Sequence, residues 1–264
     1  VQLTNQGDNW NEFPSRAACG SCHDDVDFSS HRGGQPDDSK CASCHAEGQR
    51  AGSPAESHAL LIRDESVKYA PEIISVTGTG PGEFPSVDFR ITNPATGTDW
   101  DILTDPSWTV GGGASRLAVD VAWDTGDYNN TGNGTDDASA VSIDALANAT
   151  ANGDGSFNVV SSVAIPDGSQ APGIAATGSG GAVIEGHPAV DVDGDGTEDR
   201  IFMTNANTFF SIDEANGTAS PRRDIVEIGQ CQACHQNLSL HGNNRTDNIN
   251  SCVTCHNPRN TDRE

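Results

Sequence analysis

The sequence predicts a mainly β protein in which a central antiparallel β-sandwich or barrel is flanked by two modules of irregular chain and short helices. Two observations support this prediction. All eight cysteines lie near the two ends of the 264-residue chain, and the region between them alternates polar and apolar residues in short runs. Such alternation, bounded by Gly, Pro, Asn and Asp, is typical of half-buried strands. We therefore predict three segments, residues 1–64, 65–228 and 229–264.

Every cysteine belongs to a Cys-x-x-Cys-His motif, and the chain contains four such motifs. This motif is the attachment signature of c-type haem, because its thiols form thioethers with the two vinyl groups and its histidine then binds the iron. The alternatives are two zinc ribbons or four disulfides, and neither requires a histidine after every second cysteine. We predict four covalently bound c-type haems, held by Cys19, Cys22, Cys41, Cys44, Cys231, Cys234, Cys252 and Cys255, with His23, His45, His235 and His256 as proximal iron ligands.

The four remaining histidines match the number of remaining iron positions. They are His31, His58, His187 and His241, and Met203 is the one methionine that could supply a thioether instead. We therefore predict two histidines at each iron, a ligation that keeps the reduction potential lower than a His/Met pair does. The alternative for any single histidine is an ordinary surface or hydrogen-bonded residue. The sequence leaves open which distal histidine serves which iron.

The two end segments resemble each other. Each contains a haem motif, a histidine followed by glycine or by Arg-Gly-Gly, a polar loop and then a second haem motif. This repetition predicts two dihaem modules. We expect each module to consist of short helical turns and loops packed on porphyrin, so that the haem itself supplies the core.

The middle segment contains a series of candidate strands and a single histidine, His187. Glycine-rich loops are predicted at residues 111–113 and 178–181, and residues 137–148 are an alternative helix. Such a sheet needs no cofactor of its own, and we expect it to brace the two haem modules. The candidate strands are residues 72–77, 87–91, 117–123, 157–160, 182–185, 190–192 and 201–210.

Acidic residues alternate late in the middle segment, at Asp191, Asp193 and Asp195, with Asp199 following. Carboxylates at alternate positions next to glycine allow a tight loop to direct oxygen ligands toward Ca²⁺. The match to a calcium-binding loop is partial, because Phe202 occupies the position of the closing bidentate glutamate. The sequence therefore leaves two interpretations open, a calcium site formed by these four aspartates and a solvated acidic hairpin.

The composition excludes several classes of function. The formal charge of −24 arises from 38 acidic and 14 basic side chains, and this field repels the phosphates of nucleic acids. No apolar run approaches the roughly 20 residues that span a bilayer. Because thioether attachment of haem points to an oxidising compartment, we predict an exported protein, extracellular or on the outer cell surface. We interpret the chain, which starts at Val1 without a signal segment, as a processed product or a module of a longer protein.

The ends of the chain resemble the outer-membrane multihaem cytochromes of the MtrC and OmcA type. Residues 231–258, with His241 and Arg245 between their two motifs, carry most of this resemblance, and residues 19–45 are similar to another haem pair of that family. The resemblance implies β-barrel-like domains that alternate with multihaem domains, and electron transfer to metal oxides, flavins or other extracellular acceptors. It also implies that the eight motif cysteines bind haem and that the motif histidines are proximal ligands.

The chain departs from that family in two respects. Family members usually hold ten haems, whereas this chain has four motifs, which fits a fragment or a reduced relative. The β domains of the family commonly carry a cysteine pair proposed as a redox switch for flavin, and residues 65–228 contain no cysteine. A thiol-gated flavin site is therefore not expected.

We predict an electron-transfer protein rather than an enzyme, in which closely packed low-spin haems pass electrons to extracellular acceptors or other redox proteins. The first alternative is a subunit of a cytochrome filament, a homopolymer formed through the terminal haem modules. The second alternative is a catalytic multihaem reductase, which needs an iron with an open coordination position. The four spare histidines argue against that second alternative.

Overall fold

The computed structural model describes residues 9–31, 37–124, 129–133, 139–214, 217–222, 226–257 and 260. The chain divides into two compact units, Val1–Leu60 and Leu61–Glu264. The first predicted boundary, at residue 64, lies near this division, and the second, at residue 228, falls inside the second unit. No helix in the described part of the chain is long and apolar enough to cross a membrane.

The first unit is built from short helices joined by turns. Each helix has four residues, too few for a helix to be stable without other support. Local caps begin two of them: the Ser15 hydroxyl accepts a hydrogen bond from the Ala18 amide, and Ser53 forms a reciprocal capping box with Glu56. Among the described residues of this unit, Pro14 is the one buried apolar side chain, and none of them belongs to the hydrophobic core cluster of the chain. The helices are α1 (Asn9–Glu12), α2 (Arg16–Cys19), α3 (Cys41–Cys44) and α4 (Pro54–Ser57).

The second unit contains most of the regular structure. Its strands are short and pair in antiparallel fashion, and its helices begin or end next to them. In chain order the elements are α5 (Leu61–Ser66), β1 (Ala70–Thr77), β2 (Ser86–Asn93), β3 (Thr98–Asp99), α6 (Pro106–Thr109), β4 (Arg116–Ala122), β5 (Val141–Asp144), α7 (Ala145–Asn148), β6 (Thr150–Ala151), β7 (Phe157–Val160), β8 (Ser179–His187), β9 (Ala189–Val190), β10 (Asp199–Arg200), β11 (Ala206–Ser211), α8 (Ile228–His235), β12 (Ser239–Leu240), β13 (Arg245–Thr246) and α9 (Ile249–Cys255).

Two antiparallel sheets pack against each other in the second unit. One has the strand order β1-β2-β7-β6 with β3 beside β2, and the other has the order β11-β8-β4-β5. Alternate residues of both sheets meet in one core, for example Phe89 of β2, Val119 of β4 and Ile184 of β8, all fully buried. Because the described strands form separate sheets, the architecture is a β-sandwich and no closed barrel is present among them. The predicted fold class is confirmed in its sandwich form.

Strand predictions succeed where apolar residues alternate. Residues 157–160 form β7 as predicted, and the predicted runs 72–77 and 87–91 lie inside β1 and β2. The predicted strand 201–210 is half right, because residues 201–205 are irregular and β11 begins at Ala206. Of the predicted run 190–192, only Val190 belongs to a strand, β9.

The glycine-rich loop predicted at 178–181 is wrong for residues 179–181, which begin β8. A Cβ at Gly180 would lie 2.4 Å from the Phe210 ring on the neighbouring strand β11, so glycine is needed here for close packing and not for a turn. The alternative helix at 137–148 is also corrected: 141–144 form β5 and 145–148 form α7, while Asp137 lies outside the described residues. The core packing of Ile143 favours the strand, and the Asp144 carboxylate caps α7.

The sheet that contains β4 and β8 is buried on both faces. Val119 and Ile184 face the sandwich core, whereas Asp120, Glu185 and His187 lie on the opposite face and are also buried. Helix α9 packs against β4, β8 and β11, and strand β13, which pairs with β12, packs against β8. The C-terminal segment therefore covers a sheet face that would otherwise meet water.

Hydrogen bonds between backbone and amide side chains fix this C-terminal segment on the sheet. The Asn205 amide donates to the Thr246 carbonyl over 3.0 Å, and the Thr246 amide donates to Asn205 Oδ1 over 2.6 Å. The Asn248 side chain donates to the Asn205 carbonyl, and the Gly186 amide donates to the Asn244 carbonyl. These bonds satisfy buried backbone groups, whereas several buried side-chain atoms on the covered face, such as Asp120 Oδ1, His187 Nδ1 and Ser251 Oγ, have no hydrogen-bond partner among the described residues.

Candidate metal centres

Each Cys-x-x-Cys-His motif lies on a single helical turn. Residues three apart on a helix share a face, so the two thiols of one motif project in the same direction. The amides of His23, His45 and His256 each donate a hydrogen bond of 2.8 to 2.9 Å to the carbonyl of the first cysteine of their motif. The chain therefore groups two thiols and one imidazole around each turn. The first motif begins at Cys19, the last residue of α2, and continues through the turn that follows it, while the second motif lies on α3, the third on α8 and the fourth on α9.

The cysteine geometry disfavours the two alternatives that the sequence left open. All eight thiols are free, so they do not form disulfides in this structure. Among the described residues, the one group of three or more metal-ligating side chains with ligand atoms within 4.8 Å of one another is made of aspartates and contains no cysteine. A zinc ribbon needs four converging Cys or His ligands, and the described thiols are not arranged in that way.

Three of the four spare histidines lie beside a motif histidine. The ring centroids of His58 and His23 are 5.9 Å apart, and those of His31 and His45 are 6.5 Å apart with nearly parallel planes, 23° from each other. In the second unit, the rings of His241 and His256 are 6.3 Å apart. Each pair joins one predicted proximal ligand to one predicted distal ligand.

This spacing is compatible with two imidazoles on opposite sides of a metal ion. A metal–nitrogen bond to imidazole is about 2 Å long, so two such rings have centroids roughly 6 Å apart. Aromatic rings that pack directly against each other also have centroids roughly 4.5–7 Å apart, so the argument for a metal rests on the donor set together with the spacing. The donor set and the spacing of all three pairs therefore fit an iron held between two histidines.

Hydrogen bonds orient two of the predicted distal histidines. His31 Nδ1 lies 3.1 Å from the Phe28 carbonyl oxygen, and His58 Nδ1 lies 2.6 Å from the Pro54 carbonyl oxygen. A carbonyl can only accept, so Nδ1 carries the proton and donates in both cases. Nε2 of each ring therefore keeps a free lone pair. In histidines whose other ring nitrogen donates to a backbone carbonyl, this is the atom that binds a metal.

His187 and His235 are the two predicted ligands without a described ring neighbour of this kind. His187 ends β8 and is 2% exposed, and its Nδ1 has no hydrogen-bond partner among the described residues. Burial, followed by the nearby Arg200 charge, lowers the pKa of His187 to about 4. A neutral imidazole is the protonation state that a metal ligand needs. His235 ends α8 and is exposed.

Burial also changes the acidity of the motif thiols. It raises the pKa of Cys41 in the first unit and the pKa values of Cys252 and Cys255 in the second. For Cys255, the neighbouring Asp120 carboxylate raises the pKa further, while Arg245 opposes it. The fourth motif is therefore the one that lies deepest against the sheet, next to charged side chains.

The acidic loop brings together three of the four predicted calcium ligands. Asp191, Asp193 and Asp195 are exposed, and one carboxylate oxygen of each lies within 4.8 Å of the others. The loop's own backbone occupies these carboxylates, since Asp191 accepts hydrogen bonds from the amides of Gly194, Asp195 and Gly196. Asp199 lies outside this group, in β10, where it pairs with Val190 of β9.

The pattern of motifs did not reveal the groups that orient the distal histidines. Their acceptors are the Phe28 and Pro54 carbonyls, three and four residues before His31 and His58. That spacing is one helical turn, and it is the signal in the sequence that could have identified them. The charged residues on the covered face of β4 and β8 also escaped notice, because alternation alone assigns that face to solvent.

Comparison with known proteins gives similarity at the level of the fold. The sequence matches no protein-family profile and no curated protein. A crystal structure of MtrC from Shewanella baltica OS185 superposes with a TM-score of 0.60 at 17% identity, covering 98% of this chain and 46% of that one. The outer membrane decaheme cytochrome OmcA gives a TM-score of 0.45 at 18% identity, covering 74% of this chain and 30% of OmcA. This chain therefore has an MtrC-like fold and spans about half the length of that relative.

Proposed function

Starting from this shared fold, we propose that the protein is an extracellular tetrahaem c-type cytochrome that conducts electrons from haem to haem toward acceptors outside the cell. The observation that carries the proposal is the pairing of three spare histidines with three motif histidines at ring distances of 5.9 to 6.5 Å. The MtrC-like fold supports it, because that relative is the kind of protein the motifs resemble. The proposed acceptors are metal oxides, flavins and other redox proteins.

The residues of the chain have separate tasks in this function. The cysteines of each motif would anchor the cofactor, and the motif histidine would hold its iron. When bound, the haems supply one-electron chemistry, since each iron alternates between ferric and ferrous forms. His31, His58 and His241 would each hold an iron together with the motif histidine beside it, which would exclude water and substrate and favour electron transfer over catalysis. The acidic surface, with a formal charge of −24, favours cationic or mineral-bound acceptors.

Covalent haem content is the first test of this proposal. We expect the denatured, acetone-extracted protein to retain its haem and to show a mass four haems above that of the 27.5 kDa chain, because every cysteine lies in a motif. Replacing Cys231 and Cys234 together by alanine should remove one haem. Ser43→Ala, inside the second motif, leaves both of its cysteines intact and should keep all four. An increment of two or three haems in the unmodified protein would contradict the proposal.

Electron transfer is the second test. The dithionite-reduced protein should be reoxidised both by a soluble ferric chelate and by suspended iron oxide, as followed by the haem absorbance bands. The rate with the positively charged oxide surface should fall as salt is added, because the acidic field is then screened. Reduced protein that reacts with neither acceptor would contradict a role in extracellular electron transfer.

We also propose that the acidic loop binds calcium through Asp191, Asp193 and Asp195, and thereby stabilises the β-sandwich. At about 100 times the dissociation constant, a bound ion adds about 2.7 kcal/mol. Chelator should therefore lower the melting temperature of the sandwich by roughly 5–10 °C for a unit of this size and leave the haem spectra nearly unchanged. Asp193→Asn should abolish the effect, and Asp24→Asn, at an exposed position of the first unit, should not. Equal melting curves with and without chelator would leave the solvated hairpin as the correct interpretation.

A further inference from the structure

A cluster of buried charges lies under the C-terminal motif helix α9, on the covered face of the second sheet. It consists of Asp120 of β4, Glu185 of β8 and Arg245 of β13, with Arg116 of β4 at its solvent side. We call these four residues the buried ion cluster. Asp120 and Glu185 are 1% and 0% exposed, so both carboxylates are removed from water.

Arg245 occupies the centre of the buried ion cluster. Its Nη2 lies 3.2 Å from Asp120 Oδ2 and 4.0 Å from Cys255 Sγ, and its Nη1 contacts the Glu185 carboxylate. Glu185 Oε1 also accepts a hydrogen bond of 2.9 Å from Arg116 Nη2. One guanidinium group therefore contacts two strands of the sheet and the second cysteine of the fourth motif.

Burying such a cluster of charged side chains is energetically unfavourable compared with burying apolar ones. Removing charges from water carries a penalty that their mutual attraction often fails to recover, and apolar residues of similar size are frequently as stable or more so. Burial raises the pKa of Asp120 even though Arg245 and Arg116 both act to lower it. Stability alone therefore does not explain why charged residues stand at this place, and the neighbouring motif offers an explanation.

The position of Arg245 in the chain connects it to both members of one histidine pair. It follows His241 on the hairpin formed by β12 and β13, and its side chain contacts Cys255, which directly precedes His256. The rings of His241 and His256 are the pair 6.3 Å apart. A side chain that holds both the hairpin and α9 against the sheet therefore fixes the distance between these two rings.

We propose that Arg245 is a positioning residue for the iron site between His241 and His256, and that Asp120 and Glu185 fix its positive charge beside that site. This inference rests on the proposed function. A fixed positive charge favours the ferrous form, because reduction adds a negative charge to the iron. The charge of Arg245 thus raises the reduction potential of this one haem, while the two carboxylates beside it limit the increase.

Opposite charge changes provide the test. The measurement is a spectroelectrochemical titration of the holoprotein at pH 8. In Arg245→Gln, about one quarter of the haem absorbance should titrate at lower potential. For that quarter, the oxidised-to-reduced ratio at a given potential should rise at least about tenfold, which is a shift of about 59 mV for one electron. Asp120→Asn, which removes a negative charge at the same place, should move one quarter to higher potential. The double variant should lie between the two, and Arg245→Lys should largely restore the original titration.

Controls separate this electrostatic role from a merely structural one. Arg50→Gln, at an exposed position of the first unit, should leave the titration unchanged. A structural role predicts shifts of the same sign for Arg245→Gln and Asp120→Asn, or a high-spin signal in electron paramagnetic resonance for both, and either result would overturn the inference. If Arg245→Gln yields no folded protein, a shift to higher potential in Asp120→Asn together with an unchanged titration in Arg245→Lys still decides the question. Failure of the proposed function would be visible separately, as fewer than four haems or high-spin iron in the unmodified protein.

Discussion

Replacing His187 with alanine is expected to convert one haem in four from the low-spin form to a high-spin or water-ligated form. In the proposed function the four motif histidines need four distal partners, and three of the spare histidines lie beside a motif histidine. His187 is the fourth, and its imidazole is buried, neutral and without a hydrogen-bond partner at Nδ1 among the described residues. The following Pro188 restricts its backbone to extended conformations, so its position at the end of β8 is rigid.

The measurement is the high-spin fraction in the absorbance and electron paramagnetic resonance spectra of the isolated monomer. His241→Ala is the matched control, because its ring lies beside His256, and it should give the same one-quarter change. Added imidazole should restore the low-spin form in both variants by entering the cavity left by the ring. If all four haems of the His187→Ala monomer remain low-spin, His187 is not an iron ligand, and the corresponding haem takes its ligand from elsewhere.

Replacing Phe89 with alanine is expected to lower the free energy of unfolding of the β-sandwich by about 3–5 kcal/mol. Phe89 is 0% exposed, lies on β2 in the core between the sheets, and packs against the Phe157 ring of β7 at a centroid distance of 6.0 Å. Removing the Phe89 ring eliminates its apolar contacts with the core, including the contact with β7. It also leaves a cavity, because the side chains of the two packed sheets cannot move far enough to fill it. Domains are usually stable by only about 5–15 kcal/mol, so this loss is a large fraction of the total.

Phe84→Ala provides the matched control for this experiment. The same side chain is removed a few residues earlier, where Phe84 is 52% exposed, and the change in stability should be within about 0.5 kcal/mol. Urea unfolding followed by far-ultraviolet circular dichroism measures both variants, because the strand signal comes from the second unit. Equal midpoints for the two variants would mean that the core packing described here is wrong.

The strands could be predicted from the sequence wherever a single physical effect determined the pattern. Residues 157–160 alternate between the core and water, and β7 has these bounds. Gly180 misled the prediction because glycine is common in turns, whereas here the Phe210 ring requires the absence of a side chain. Residues 141–144 were ambiguous between strand and helix until the contact of Ile143 with the core of the sandwich was known.

The candidate site shows the same contrast. Its motifs consist of neighbouring residues and can be recognised in the sequence, whereas its contacts between residues far apart in the chain depend on the fold. The four cysteine motifs are local, so the sequence alone locates every thiol and the histidine that we predict as the proximal ligand of each motif. The partner of each distal histidine depends on the fold: His58 lies beside His23 and not beside the nearer motif of Cys41 and Cys44. Asp120 and Arg245 are 125 residues apart in the chain, and the sequence around neither of them indicates that they form an ion pair.

The burial of the second sheet on both faces also affects how the molecule opens. Strands β4 and β8 are bonded to neighbours along both edges, and both of their faces are covered by other parts of the chain. Their amide hydrogens therefore reach solvent only when the entire unit unfolds, whereas the two-residue strands β9 and β10 beside the acidic loop open locally. We therefore expect the slowest amide hydrogen exchange in β4 and β8, the strands against which the helix of the fourth motif packs. These strands keep that motif in place while other parts of the chain open locally.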